Sequence, residues 1–150
     1  MSNLNRQFRN DSLLEMKDAG VIGASAAAEV SSTAKVLDLG AASFTEGNVV
    51  IDVTAIEIAS NSEIYTIILE GSNVAALASG IVPLAVMLLG ANEVIVGGTD
   101  TDSTIGRYVM PFRNERDGVV YRYLRLYTVV AGTIATGGGI NYTAFLSRKQ

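Results

Sequence analysis

A chain of 150 residues is long enough to form one domain and bury roughly two-thirds of its unfolded surface, so it needs no staples to fold. It holds no His, Cys or Trp, which excludes zinc sites of the usual nitrogen and sulfur type, cysteine nucleophiles and a Ser-His-Asp triad, and leaves the redox compartment open. Net charge is −4, and charged residues make up 17% against 49% hydrophobic, below the roughly 25% charged usual for a soluble domain, so part of the surface is expected to lie under another subunit.

The N-terminal MSNLNRQFRNDS has no apolar core segment, so no secretory signal is expected. Residues 1–28 are expected to form an N-terminal arm lying on a neighbour or on the domain's own surface. One short helix is expected in NDSLLEMKDAG, where Ser12 and Glu15 have capping-box spacing and Gly20 can stop the turn. The following GASAAAEVSST is small and weakly patterned, too poor in apolar bulk to hold itself in place. The domain proper is expected over 29–150.

Strands follow. AKVLDLG closes at Gly40, and GNVVIDVTAIEI alternates with Val49, Ile51, Val53 and Ala55 on one side. The phase then slips, because Ile56 and Ile58 continue the apolar series on the opposite parity, and a β-bulge near Ala55-Ile56 reconciles the halves. IYTIILEG is the next strand, SNVAALASG a loop or single helical turn, and IVPLAVMLLG a buried strand entered through Pro83. That run is about a dozen residues with its flanks, short of the roughly 20 a bilayer span needs, so no membrane is expected. ANEVIVGG holds another short strand, and GRYVMPF, VVYRYLRLYTVVAG and GINYTAFL complete a count of eight or nine. An all-β, two-sheet sandwich results, with a jelly roll favoured among the sandwiches.

The stretch Val119 to Gly132 organises the rest. Val120, Leu124, Leu126 and Val130 point one way, with Arg122 and Thr128 among them; Tyr121, Tyr123, Arg125, Tyr127 and Val129 point the other. The first set belongs in a core. The second suits an interface, because Tyr and Arg are enriched at interface centres, and Arg113 and Arg116 lie just upstream. No basic residue occurs between Lys35 and Arg107, an interval rich in Asp and Glu, whereas five arginines occur from Arg107 to Arg125 inclusive. Such segregation would make an acidic and a basic side, unless strand alternation scatters the charges.

Chemistry-bearing motifs are weak. Asp100 and Asp102 in TDTDS could offer paired oxygen ligands, but the twelve-residue calcium loop fails at its sixth position, Ile105, and at its closing position, Pro111. TGGGI and VGGT lack the Lys-Ser/Thr and following helix of a phosphate loop. YRYLRLY could stack on bases, yet the negative charge and the absence of Lys between Lys35 and Lys149 count against nucleic acid. No catalytic residue, metal or cofactor is expected, and no enzymatic activity.

The pieces SSTAKVLDLGAA, PLAVMLLGA and GRYVMPFRNE leading into YRYLRLYTVVAGT, with a final INYTAFL, resemble the capsid cement, or decoration, proteins of short-tailed bacteriophages. The resemblance covers most of the chain from Ser31 onward and rests on order and spacing. It implies a jelly-roll-like homotrimer, made in the host cytoplasm, that sits on the outer capsid surface and clamps major capsid protein subunits together. The N-terminal LNRQFRNDSLLEMK has no counterpart in it. The interface residues expected on this reading are Tyr121, Tyr123, Arg125, Tyr127, Arg116 and Arg113. The alternatives are a carbohydrate-binding jelly roll with Tyr121, Tyr123 and Tyr127 as a sugar platform, and a hydrolase on a carboxylate pair.

Overall fold

The structure, a computed structural model, describes residues 12–41, 43–91 and 102–148. The described residues are all-β apart from one 3-10 turn at Ser12–Leu14. The strand segments in chain order are β1 (Glu15–Lys17), β2 (Val21–Ile22), β3 (Ala26–Ala27), β4 (Glu29–Val30), β5 (Thr33–Ala34), β6 (Leu37–Asp38), β7 (Glu46–Ile56), β8 (Ile64–Ser72), β9 (Val82–Gly90), β10 (Gly106–Arg113), β11 (Glu115–Arg116), β12 (Val119–Val120), β13 (Tyr123–Ala131) and β14 (Ile140–Arg148). The strand expected in ANEVIVGG, the VGGT turn and Asp100 lie outside the described residues.

Two sheets face one another, and every pairing in them is antiparallel. The first runs β1–β14–β7–β10 with β2 also on the free side of β14; the second runs β3–β13–β8–β9 with β6 also on the free side of β13. The chain therefore crosses between sheets after β2, β6, β7, β9, β10 and β13; within these two sheets only β8 and β9 of the described strands follow one another as neighbours, while β4–β5 and β11–β12 pair as separate small hairpins. This is the strand order of a jelly roll, with its first two strands broken into the short pieces β1/β2 and β3/β6.

The β-branched and aromatic content of the long segments favours the pleated conformation, and their alternation decides which side meets the core. Val49, Ile51 and Val53 from β7 and Tyr142 from β14 line the first sheet's inner face; Tyr65, Ile67, Leu124 and Leu126 line the second. The phase slip in β7 is a bulge. Asn141 pairs with Ala55 but Tyr142 with Val53, so Thr54 is the extra residue, and beyond it Ile56 turns back toward the core beside fully buried Ile140. The tyrosine hydroxyls are satisfied where they are buried. Tyr142 shares a 2.7 Å hydrogen bond with Thr128 across the two sheets, and Tyr65 donates to the Glu57 carbonyl at 2.8 Å.

Residues 15–28 do not form a separate arm. They are stitched along one side of the sandwich, β1 and β2 on β14 and β3 on β13, and Met16, Ile22 and Ala28 join the shared core. The free edges of β14 and β13 supply the backbone partners this segment lacks alone, which is why its poor apolar content suffices. The same pairing overrides the expected helix: after the single turn Ser12–Leu14, Glu15 enters β1 and Met16 is drawn fully into the interior. Lys17 is almost completely buried with its ammonium satisfied, donating to the carbonyls of Asp18 (2.8 Å) and Gly20 (2.9 Å) and lying 5.0 Å from the centre of the Tyr142 ring. Burial lowers its pKa, partly offset by Asp18 and Glu29.

Candidate interaction surface

Alternation along β13 and β8 builds the outer face of the second sheet. Leu124, Leu126 and Thr128 are fully buried, so Tyr123, Arg125, Tyr127 and Val129 project outward. The ladder places Thr66 opposite Val129, Ile68 opposite Tyr127 and Glu70 opposite Arg125, and extends the first two rows to Leu88 and Val86 of β9. The result is an apolar and aromatic face with the Arg125–Glu70 ion pair set into it and Asp38, paired with Arg122, at its β6 side. Arg125 Nε donates to Glu70 Oε2 at 2.6 Å, with the two side chains only 20% and 14% exposed, so the pair is less screened than a rim pair. Each cation also covers a ring: Arg125 lies 5.5 Å from the centre of Tyr127, and Arg122 lies 5.1 Å from that of Tyr123.

Charge segregation in the sequence is undone by the fold. Arg107 meets Asp52 directly across the β7–β10 ladder, in a two-pronged contact of 2.6 and 2.8 Å. Arg122 grips Asp38 in the same way, at 2.6 and 2.9 Å. In both pairs the arginine hydrogen bonds hold the carboxyl below its ordinary range and raise the guanidinium. Antiparallel pairing lays the arginine-rich late strands beside the acidic early ones. The charges therefore interleave among the described residues, and the expected acidic and basic sides do not form.

The predicted interface residues divide into two groups. Tyr123, Arg125 and Tyr127 share the outer face. Tyr121 shares their parity but precedes the strand, and it sits against the inner side at the sandwich's end: a Cβ built on Gly71, the partner of inward-pointing Leu124, would fall 3.0 Å from Tyr121 Cβ and 2.6 Å from Leu84 Cδ1. The backbone of Tyr121 is held by buried Asn114, whose carbonyl accepts its N–H at 2.7 Å and whose side-chain amide donates to its carbonyl at 3.0 Å. Asn114 also accepts from Thr45 N–H and donates to the Ser43 carbonyl, so one side chain anchors the root of the β11–β12 hairpin. Arg113 and Arg116 flank that root, and with Pro83, Leu84, Glu115 and Asp117 they line an open cleft of about 420 Å³. Arg116 Nη1 donates to the Pro83 carbonyl at 2.9 Å; because Pro83 pairs with Glu70, the cleft adjoins the Arg125–Glu70 row.

Sequence reasoning missed the contribution of β9. IVPLAVMLLG was expected as a buried strand, and it is a strand, but it lies at the sheet's edge with Val86 and Leu88 exposed. A nearly continuous apolar run reads as two covered faces; here one of them is the outer face. Asn114 carried no signal beyond its place before the hairpin.

At the opposite end of the sandwich, Glu63 is fully buried, and its carboxylate accepts the backbone N–H groups of Ser60 (2.6 Å) and Ser62 (2.9 Å). Burial pushes its pKa up, but these donors outweigh it and hold the carboxyl below the ordinary glutamate value. The neighbouring Tyr65 phenol is pushed up to about 12 by burial and by the nearby Glu57 and Glu63 carboxylates. Tyr142 is likewise pushed up to about 12 by burial. Among the described residues no three acidic side chains converge as a metal site, and Glu63 is spent on its own loop. No family model matches the chain, and neither does any curated protein.

Proposed function

We propose that this protein is a structural component of a phage virion, a cement protein that binds the outer capsid surface as a homotrimer and bridges major capsid protein subunits. The observation that carries the reading is the outer face of the second sheet, where Tyr123, Tyr127, Ile68, Val86 and Leu88 surround a charge pair that is already internally neutralised. Such a face is suited to wide, shape-driven contact with protein. It offers complementary apolar area and aromatic anchors without an unpaired charge to desolvate. Several copies joined in one assembly bind with avidity, because each later contact is effectively intramolecular, so no single contact has to be strong. The resemblance in sequence points the same way. A sugar platform is less favoured, because the ring faces of Tyr123 and Tyr127 are already attended by Arg122 and Arg125.

The test is sedimentation of the purified protein with undecorated shells assembled from the coat protein of the same genome. Saturable binding, with shells that withstand a higher temperature when decorated, is the expected result, and Tyr127→Ala with Val86→Ala should weaken it. Failure to sediment with those shells, or release of the bound protein by free sugar, would overturn the assignment.

A further inference from the structure

The outward edge of β9 has a hydrogen-bonding polarity that its neighbours reveal. On β13, the Leu126 carbonyl accepts from Ala28 N–H and the Val130 N–H donates to Ser25 Oγ, so these residues turn their backbone groups away from β8. By alternation Arg125, Tyr127 and Val129 turn theirs toward β8, onto Glu70, Ile68 and Thr66. The intervening Tyr65, Ile67 and Leu69 then face β9, where they engage Leu89, Met87 and Ala85. Val86, Leu88 and Gly90 are left facing away from the sheet. Gly90 bears this out directly, donating its N–H to Ser103 Oγ at 3.0 Å and accepting Ser103 N–H on its carbonyl at 3.0 Å.

Both ends of this edge are closed. Ser103 occupies Gly90; at the other end Pro83 has no N–H and its carbonyl holds Arg116, and the register shift at Leu84 bends the strand. Between these stops, no described residue bonds to the backbone N–H or C=O of Val86 or Leu88. The same two residues are 57% and 46% exposed. Of the devices that keep an edge from pairing, the proline and the bulge sit at one end of VPLAVMLLG, and no lysine or other charge occurs in it.

The geometry points to a second copy of this chain as the occupant, its β9 pairing antiparallel with this one about a two-fold axis at Met87. The open window is symmetric about that residue, so Val86 meets Leu88 of the second copy and Leu88 meets its Val86, each pair exchanging both N–H···O bonds. A shift of the register by two residues would set an open residue against the blocked Gly90 or Pro83, so one alignment engages every free group. Identical surfaces also meet here without like-charge repulsion among the described residues, because β9 carries no charge, Arg125 and Glu70 neutralise each other, and Arg116 on the Pro83 carbonyl lies beside Asp117. The apolar rows run on across the join, from Tyr127, Ile68 and Val86 to the second copy's Leu88. A two-fold contact cannot close a trimer; in a cement protein it would tie one trimer to the next, and it holds or fails without any capsid.

The chain has no cysteine, so a single Met87→Cys variant reports on the axis without background. Across the axis the two residues form a non-hydrogen-bonded pair about 4.5 Å apart between Cα atoms, within the range a disulfide spans. Mild oxidation at micromolar concentration should give a disulfide-linked dimer of Met87→Cys, and little from Val74→Cys, which is exposed but lies in the turn after β8. Adding Leu88→Lys should reduce the crosslinked fraction at least tenfold. Native mass spectrometry of the unsubstituted protein should show species of even copy number that Leu88→Lys removes, which covers the case of a poorly folded cysteine variant. Crosslinking no greater at 87 than at 74, or even-numbered species that survive Leu88→Lys, would overturn the inference.

Discussion

Deleting residues 1–28 should unfold this domain rather than trim it. The deletion removes β1, β2 and β3, takes fully buried Met16 and nearly buried Ile22 out of the core, and strips partners from the free edges of β14 and β13. Burial of a large aliphatic side chain stabilises by about 1.5 to 3 kcal/mol, so Met16 and Ile22 together account for about 3 to 6 kcal/mol before any lost backbone pairing. That is comparable to the whole margin of an ordinary domain, about 5 to 15 kcal/mol. A point substitution isolates the packing: Met16→Ala should cost about 2 to 5 kcal/mol through lost transfer energy and the cavity left behind. At about 2 to 4 °C per kcal/mol for a chain of this size, the melting temperature should fall by roughly 4 to 20 °C. Thermal and urea unfolding followed by circular dichroism would measure it. A Met16→Ala protein melting within about 2 °C of the parent, or a truncated protein that unfolds with the parent's cooperativity and midpoint, would refute the placement of this segment in the core.

On β13 the two faces should respond differently. Leu126→Ala should destabilise the subunit by about 2 to 5 kcal/mol, whereas Tyr123→Ala with Arg125→Ala should cost the fold only about 1 kcal/mol, the scale of an incompletely buried ion pair, and chiefly reduce assembly seen by sizing; the reverse pattern would mean that the strand is inverted. Stability should also fall at both pH extremes. Tyr65 and Tyr142 are raised from 10.0 to about 12 in the folded state, so their neutral forms contribute stability that is complete below pH 10 and is lost as pH rises toward 12. Ionisation of these two tyrosines should then accompany loss of strand signal, and their full ionisation near pH 10 with the fold intact would contradict this. Glu63 works in the opposite sense: its lowered pKa contributes stability above the ordinary glutamate value of 4.5 that is lost as pH falls through the folded value, so Glu63→Gln should flatten the acid limb of the stability profile.

The sequence by itself determined the features that depend on local period. Alternation assigned Leu124 and Leu126 to the core and Tyr123, Arg125 and Tyr127 to the other side, because successive strand side chains must point to opposite faces. The change of parity after Val53 required an extra residue, and the bulge at Thr54 supplies it one position before the expected place. The sandwich class followed from the same patterns. What tertiary structure alone decided are matters of neighbourhood. Met16 and Ile22 are too few to specify a strand locally; they are buried because β14, more than a hundred residues away in sequence, offers an open edge. Tyr121 keeps the parity of the outer face yet lies on the other side, because Asn114 draws its backbone out of line before β13 begins. The arginines cluster in sequence and disperse in space, since antiparallel pairing sets Arg107 against Asp52 and Arg125 against Glu70. An apolar run such as VPLAVMLLG is equally consistent with the middle and the edge of a sheet, as hydrophobicity records that a residue avoids water and not which surface does the covering. The order of the strands put β9 at the edge, and with it two residues whose side chains are exposed and whose backbone no described residue bonds.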